Sequence, residues 1–291
     1  MRGIQSWATW GQYVRGRRQS VRALAVLLAI TVMPCLGSAT QFATVFETDV
    51  DQAAPNEVAW EGFSSLTSLM NNDWFDVFYS DLNINGTWSM GGFACDGHQY
   101  YVMLESDTDV PSNEVYYITY ASLADLRDNV QGPTGYTSLN ISPGWSMHGF
   151  ASDGTRFYIF LESDTDAAAG SEIYVMRYTS FANVITSTEE STEFWQGGLQ
   201  AGWSIADFAT DGHKFYMMLE TDADVSGVGN ESWVARYASF TEFMNNNSEW
   251  YDYVQWDISS AWSMNGFAGE IPIFEDGFET GNYYLWDDWQ N

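Results

Sequence analysis

The hydrophobic positions of this chain follow one pattern that recurs four times. Each copy begins with Trp-Ser-Met or Trp-Ser-Ile and ends with Phe-Ala, and its tryptophan lies 57, 58 or 59 residues after that of the preceding copy. The four segments are residues 88–94, 145–151, 203–209 and 262–268. In three copies an Asp-Gly pair follows, and then a run of apolar and aromatic residues that ends in Leu-Glu. Self-similarity at a period of this length indicates a repeat architecture.

The pattern within one copy predicts four short β-strands. The Trp-Ser-Met segment is the first strand, and the Asp-Gly pair is typical of a tight hairpin into the second. A Tyr-rich run after an acidic loop predicts the third strand, and the Ser-Leu or Ser-Phe step that follows it begins a short turn or a helical turn. The fourth strand carries an aromatic residue nine positions before the next tryptophan. These aromatic residues are Tyr79, Tyr136, Phe194 and Tyr253.

The fourth copy stops after Ala268, and its missing remainder stands near the start of the chain. Residues 42–47 match the run ending in Leu-Glu, residues 49–51 match the acidic loop, and residues 57–66 match the rest. A closed ring explains this permutation, whereas an open solenoid, an eight-stranded barrel or a sandwich does not. We therefore predict an all-β fold over residues 40–269: a four-bladed β-propeller with four-stranded blades, closed by pairing of the N-terminal and C-terminal strands.

The two ends of the chain lie outside the repeat. Residues 1–39 combine five arginines, an apolar run over residues 23–33 and small residues over 37–39, which is typical of a signal peptide. The run is too short to cross a membrane. We predict export to the cell surface, the extracellular space or the periplasm, with no membrane span. Residues 270–291 form a C-terminal tail.

The charge of the chain excludes nucleic acid as a partner. All 39 acidic residues lie at or beyond Glu47 and only five basic residues follow that point, so the exported chain would carry a net charge near −34. Such a field repels nucleic acid. Aromatic residues make up 17% of the chain, which excludes a disordered acidic protein. Cys95 is the one cysteine after the signal peptide, so no intramolecular disulfide is expected.

An acidic loop in each copy predicts a metal site. Three carboxylates alternate at i, i+2 and i+4, so an extended backbone would point them to one side. Hard oxygen ligands suit Ca²⁺, which we predict as the cofactor. The spacing differs from that of an EF-hand, and loops that are merely solvated in a very acidic protein are the alternative. The candidate ligands are Glu47, Asp49, Asp51, Glu105, Asp107, Asp109, Glu162, Asp164, Asp166, Glu220, Asp222 and Asp224.

Residues that break the repeat are the candidates for ligand binding. The four tryptophans in register are assigned to packing between blades. His148 occupies a variable position of the first strand and is expected to face the central channel, while Asp207 replaces a glycine of the other copies. The tryptophans outside the repeat frame are suited to stacking on sugars; they are Trp74, Trp195, Trp250 and Trp256.

Two parts of the chain, a blade and the C-terminal tail, resemble known protein groups. Residues 150–160 and 174–181 are similar to blades of the five-bladed glycosidase families, and residues 274–281 resemble a tail of secreted bacterial proteins. The glycosidase resemblance implies catalytic carboxylates that differ between blades around a central cavity. Only Asp207 has that character here, and there are four copies instead of five.

Four similar copies favour multivalent binding over a single active site. We expect a bacterial, non-catalytic module that binds a glycan or a cell-surface or matrix component, in an oligomeric state left open. A glycosidase-like enzyme and a structural surface protein are the alternatives.

Overall fold

Four antiparallel sheets form the part of the protein that the structure, a computed structural model, describes. This part comprises residues 42–48, 57–74, 76–108, 114–165, 170–221, 231–256, 258 and 261–269. The predicted signal peptide and C-terminal tail lie outside these residues.

Each sheet is one blade of four strands, and the innermost strand is named first. Blade I contains β16 (Trp262–Gly269), β1 (Phe42–Thr48), β2 (Val58–Phe63) and β3 (Asp76–Ser80). Blade II contains β4 (Trp88–Cys95), β5 (Tyr100–Ser106), β6 (Val115–Tyr120) and β7 (Thr134–Tyr136). Blade III contains β8 (Trp145–Ser152), β9 (Phe157–Ser163), β10 (Ile173–Tyr178) and β11 (Ser191–Phe194). Blade IV contains β12 (Trp203–Thr210), β13 (Phe215–Thr221), β14 (Ser232–Tyr237) and β15 (Trp250–Val254).

Blade I joins the two ends of the repeat region. Strand β1 pairs antiparallel with β16, from Phe42 opposite Gly269 to Thr48 opposite Trp262. The prediction of a four-bladed propeller closed by these two strands is confirmed.

The core of the protein lies between blades. The inner strands β4, β8, β12 and β16 each contact the next around a central axis. Four hydrophobic clusters each combine residues of two neighbouring blades. Equivalent phenylalanines of the inner strands are fully buried at the axis; they are Phe93, Phe150, Phe208 and Phe267.

A short helix follows the third strand of every blade. The helices are α1 (Leu66–Met70), α2 (Leu123–Arg127), α3 (Phe181–Ile185) and α4 (Phe240–Met244). A serine caps each one, and its side chain accepts a hydrogen bond from a backbone N–H of the first turn. Of the two alternatives predicted at the Ser-Leu or Ser-Phe step, a short turn or a helical turn, the structure shows the helical one. No helix of the described residues is long and apolar enough to span a membrane.

The Asp-Gly turns and these helices lie on the same side of the ring. We call this side the hairpin face. In the first of them, Asp96 Oδ1 accepts backbone N–H groups of the turn, and Asp96 Oδ2 accepts the hydroxyl of Tyr101 at 2.6 Å. The same carboxylate-to-tyrosine contact recurs at Asp153 and at Asp211. The opposite side, from which the acidic loops leave strands β1, β5, β9 and β13, is the loop face.

Candidate functional site

The first glutamate of each acidic loop links its blade to the next one. Its Oε2 atom accepts the backbone N–H of the third residue of the neighbouring inner strand, and an apolar residue occupies that position in every blade. The four pairs are Glu47–Met90 at 2.9 Å, Glu105–Met147 at 2.7 Å, Glu162–Ile205 at 2.8 Å and Glu220–Met264 at 2.8 Å. These glutamates therefore form a ring around the axis on the loop face.

A second glutamate in each copy holds the crossover that leads to the next blade. It stands at the start of the third strand and accepts a backbone N–H from a buried or half-buried apolar residue 27 positions later. The pairs are Glu57–Ile84 at 2.7 Å, Glu114–Ile141 at 2.5 Å, Glu172–Leu199 at 2.6 Å and Glu231–Ile258 at 2.5 Å. Two glutamates in each copy thus accept backbone N–H groups from the next blade or from the crossover that leads to it.

Asp107 and Asp164 are the other described members of the predicted calcium set. Each follows the second strand of its blade and accepts a serine hydroxyl of the first strand, Ser89 at 2.9 Å and Ser146 at 2.7 Å. Asp49, Asp51, Asp109, Asp166, Asp222 and Asp224 lie outside the described residues. Within the described ranges, no three His, Cys, Asp or Glu side chains are arranged to hold a metal ion. Calcium binding by the loops stays a prediction.

Asp207 lies at the centre of the ring and is fully buried. Its carboxylate accepts the backbone N–H of the equivalent phenylalanine of every blade: Phe93 at 3.0 Å, Phe150 at 2.9 Å, Phe208 at 2.7 Å and Phe267 at 2.8 Å. Burial raises the pKa of Asp207 well above its usual range, while the four N–H bonds act in the opposite direction. This predicted ligand-binding residue thus has no exposed surface and joins the four blades.

His148 and Asn265 occupy a β-bulge near the axis. The inner strand carries one extra residue in each blade, and the four bulge residues are Gly91, His148, Ala206 and Asn265. His148 Nδ1–H donates to the carbonyl oxygen of Ile205 at 2.9 Å, and Asn265 Nδ2–H donates to Glu47 at 2.9 Å. The bulge re-aims these two side chains away from the regular ladder.

A cavity of about 470 Å³ opens on the loop face between blades II and III. Its lining includes His148, Asn265 and Trp145 together with the carboxylates of both blades. The pKa of Glu105 is raised to about 7, first by burial and then by the charges of nearby carboxylates. The structure therefore brings His148 together with three of the predicted metal ligands, Glu105, Asp107 and Asp164.

The four tryptophans predicted to stack on sugars do not share one site. Trp195 and Trp256 are buried, and their Nε1–H groups donate to the Phe243 carbonyl and to Asn72 Oδ1. Trp250 is half-buried and packs on the core between blades IV and I. Trp74 has an exposed side chain, with 40% of its surface accessible.

A different set of aromatic residues repeats on the loop face. In every blade the tryptophan that begins the inner strand pairs with an aromatic residue near the end of the outermost strand. The pairs are Trp262–Tyr79 and Trp203–Tyr253, with ring centroids 6.1 Å apart, and Trp88–Tyr136 and Trp145–Phe194, with centroids 6.0 Å apart. We call them the edge pairs. The outer members are 41–49% exposed, whereas the tryptophans are half-buried.

The edge pairs were missed as binding candidates by sequence reasoning. The repeat does place an aromatic residue nine positions before each tryptophan, but residues at repeat positions are normally interpreted as packing. The sheet order shows that the two rings lie at the same end of a blade. The exposed fraction of the outer ring shows that it faces solvent.

No family model and no curated protein matches this chain. Among solved structures, it is similar to Bacteroides ovatus xyloglucan PUL GH43B, with 13% identity and a TM-score of 0.39 over 76% of this chain and 39% of that one. It is also similar to a phage phi92 endosialidase, with 8% identity and a TM-score of 0.33 over 76% of this chain and 40% of that one. The chain thus spans about two fifths of each of these proteins. Similarity at this level does not indicate an activity or a ligand for this chain.

Proposed function

We propose that this protein is an exported, non-catalytic module that binds carbohydrate through the four edge pairs on its loop face. The observation that carries the proposal is the repetition of one half-exposed aromatic pair in all four blades. An aromatic ring offers a flat apolar face at little conformational cost, and the apolar C–H face of a sugar ring is complementary to it.

The charge of the protein narrows the class of glycan. The formal net charge of the whole chain is −29, and all described Lys and Arg residues lie toward the hairpin face in ion pairs. Anionic polysaccharides would be repelled by the loop face. Neutral glycans are therefore the expected ligands of the edge pairs.

Four equivalent pairs support binding to a repetitive partner. Once one pair holds a polysaccharide or a glycan-coated surface, the others bind at a raised effective concentration, so weak single sites combine into firm attachment. Attachment to a repetitive surface needs no asymmetric catalytic centre.

A glycan array compared between two proteins tests this proposal. The natural sequence should bind neutral glycans, and the quadruple variant Tyr79→Ala, Tyr136→Ala, Phe194→Ala and Tyr253→Ala should lose that binding while keeping its unfolding midpoint within a few degrees. Tyr251→Ala is the matched control, because Tyr251 is 63% exposed but belongs to no edge pair. Binding retained by the quadruple variant, or hydrolysis of the bound glycans, would overturn the proposal.

A further inference from the structure

The cavity between blades II and III concentrates negative charge in a space large enough for a small organic molecule. Its volume of about 470 Å³ lies within the range of ligand-binding pockets. Four carboxylates line it, those of Glu105, Asp107, Glu114 and Asp164. Carboxylates gathered in this way repel one another unless a positive charge lies among them.

The described part of the chain supplies no lysine or arginine to this cavity. Arg156 and Arg177 both pair with Glu190, Lys214 and Arg236 both pair with Glu249, and Arg127 pairs with Asp128. These are all the cationic residues that follow Arg22, and none of them lines the cavity.

Protein hydrogen bonds hold three of these carboxylates in place, those of Glu105, Asp107 and Asp164. Glu105 uses Oε2 toward the backbone of Met147, and Asp107 and Asp164 use Oδ1 toward serine hydroxyls. The acceptors are therefore held in position before any ligand arrives.

The remaining walls suit an organic cation better than a bare metal ion. Trp145 borders the cavity, and the face of a tryptophan attracts an ammonium group. His148 and Asn265 add polar groups from the side of the axis. No three of the described acidic or imidazole side chains are arranged as metal ligands. The carboxylates are spread around the cavity and do not converge on one position for an ion.

We propose that this cavity is a binding site for a small organic cation that carries a protonated primary amine. An amino sugar and an aliphatic polyamine share this chemistry. The bulge residues that line the cavity, His148 and Asn265, are replaced by Gly91 and Ala206 in the other two blades. Trp145 belongs both to this cavity and to one edge pair, so amine binding and neutral-glycan binding are tested with separate variants.

Isothermal titration calorimetry at fixed ionic strength tests the proposal with three probes: glucosamine, N-acetylglucosamine and putrescine. Glucosamine or putrescine should bind at one site per chain, and N-acetylglucosamine should bind at least about tenfold more weakly than glucosamine because acetylation removes the charge. Binding of glucosamine alone assigns the site to amino sugars, and binding of putrescine alone assigns it to polyamines.

Two variants of equal charge separate the cavity from the general field of the protein. The double variant Asp107→Asn and Asp164→Asn keeps both side-chain volumes and an acceptor for each serine, and it should weaken amine binding by about tenfold or more. The control Glu193→Gln and Asp252→Asn removes the same charge from exposed residues of β11 and β15 and should change little. Melting midpoints equal to that of the natural sequence show that both variants are folded. If the double variant unfolds, the single variant Asp164→Asn replaces it in the titration.

Three results would overturn this inference. They are no binding of either amine, equal binding of glucosamine and N-acetylglucosamine, and equal loss of binding in the cavity variant and the control variant. None of them bears on the edge pairs, because the quadruple variant on the glycan array tests neutral-glycan binding separately.

Discussion

One carboxylate holds the centre of the ring. Asp207 accepts backbone N–H groups from four blades, and the other three blades have glycine at its position. A Cβ atom added at Gly149 would lie 2.9 Å from Asp207 Oδ1 and 2.7 Å from Phe208 Cδ2. Space at the axis therefore admits one aspartate only, and a symmetric repeat is impossible at this position.

Replacement of this carboxylate by an amide should destabilise the fold. In Asp207→Asn, the amide NH₂ would face two backbone N–H donors that are left without an acceptor, at a cost of about 1–3 kcal/mol each. Urea unfolding of this variant should show a clearly lower midpoint, and the exposed Asp252→Asn should not. An unchanged midpoint for Asp207→Asn would mean that the axis does not depend on these bonds.

Glu61 is a second residue at which one blade departs from the others. It lies opposite Thr44 in blade I, at a position occupied by Ile118, Met176 and Ala235 elsewhere. Burial raises its pKa to about 7. Because this folded-state pKa lies above the value of 4.5 for an unfolded chain, the associated stability is present below pH 4.5 and is lost as the pH rises through about 7.

The substitution Glu61→Met should remove this loss. We expect the free energy of unfolding at pH 8 to rise by on the order of 2 kcal/mol, with a smaller gain at pH 4, where the carboxyl is protonated in both states. Denaturant unfolding at the two pH values measures the difference. An equal gain at both would show that the titration of Glu61 does not matter.

Individual roles of acidic residues were the least predictable feature of this protein. The repeat shows that Asp207 and the loop carboxylates differ from their surroundings, but a sequence does not show which backbone N–H groups face them. Glu47 and Glu105 act across a blade boundary, and their partners lie 43 and 42 residues away. Such contacts depend on how the inner strands converge.

At the scale of elements, strands and helices could be predicted well because local chemistry specifies them. Asp-Gly turns, alternating apolar runs and serine caps each act within a few residues. The bulges at His148 and Asn265 could not be predicted, because a bulge is a mismatch in register between two strands. The cavity that those bulges shape was therefore hidden as well.

The acidic loops are the element for which a cofactor is predicted. Calcium at 100-fold excess over its dissociation constant would add about 2.7 kcal/mol for each independent site. For a domain of this size, each kcal/mol should raise the melting midpoint by about 2–4 °C. Sodium at equal ionic strength and magnesium are the controls, and Asp109→Asn with Asp166→Asn should reduce the calcium effect. If calcium does no more than sodium, the loops are solvated charge.

At the scale of the whole molecule, ring closure rests on one pair of strands. Deletion of residues 42–48 or of residues 262–269 would leave a strand edge of blade I unpaired, and such edges template aggregation. We expect both truncated proteins to aggregate, whereas removal of residues 1–39 alone should not change the melting midpoint. Monomeric truncated proteins with the midpoint of the full chain would contradict closure by β1 and β16.

The number of glycan-binding sites per chain tests the proposed function most directly. With a short neutral oligosaccharide selected on the glycan array, calorimetry should give four equivalent sites, because each blade carries one edge pair. Tyr136→Ala should reduce the number to three, and Tyr136→Ala with Tyr253→Ala should reduce it to two, with the affinity of the remaining sites unchanged. A single site per chain, or a number that these substitutions leave unaltered, would contradict the account.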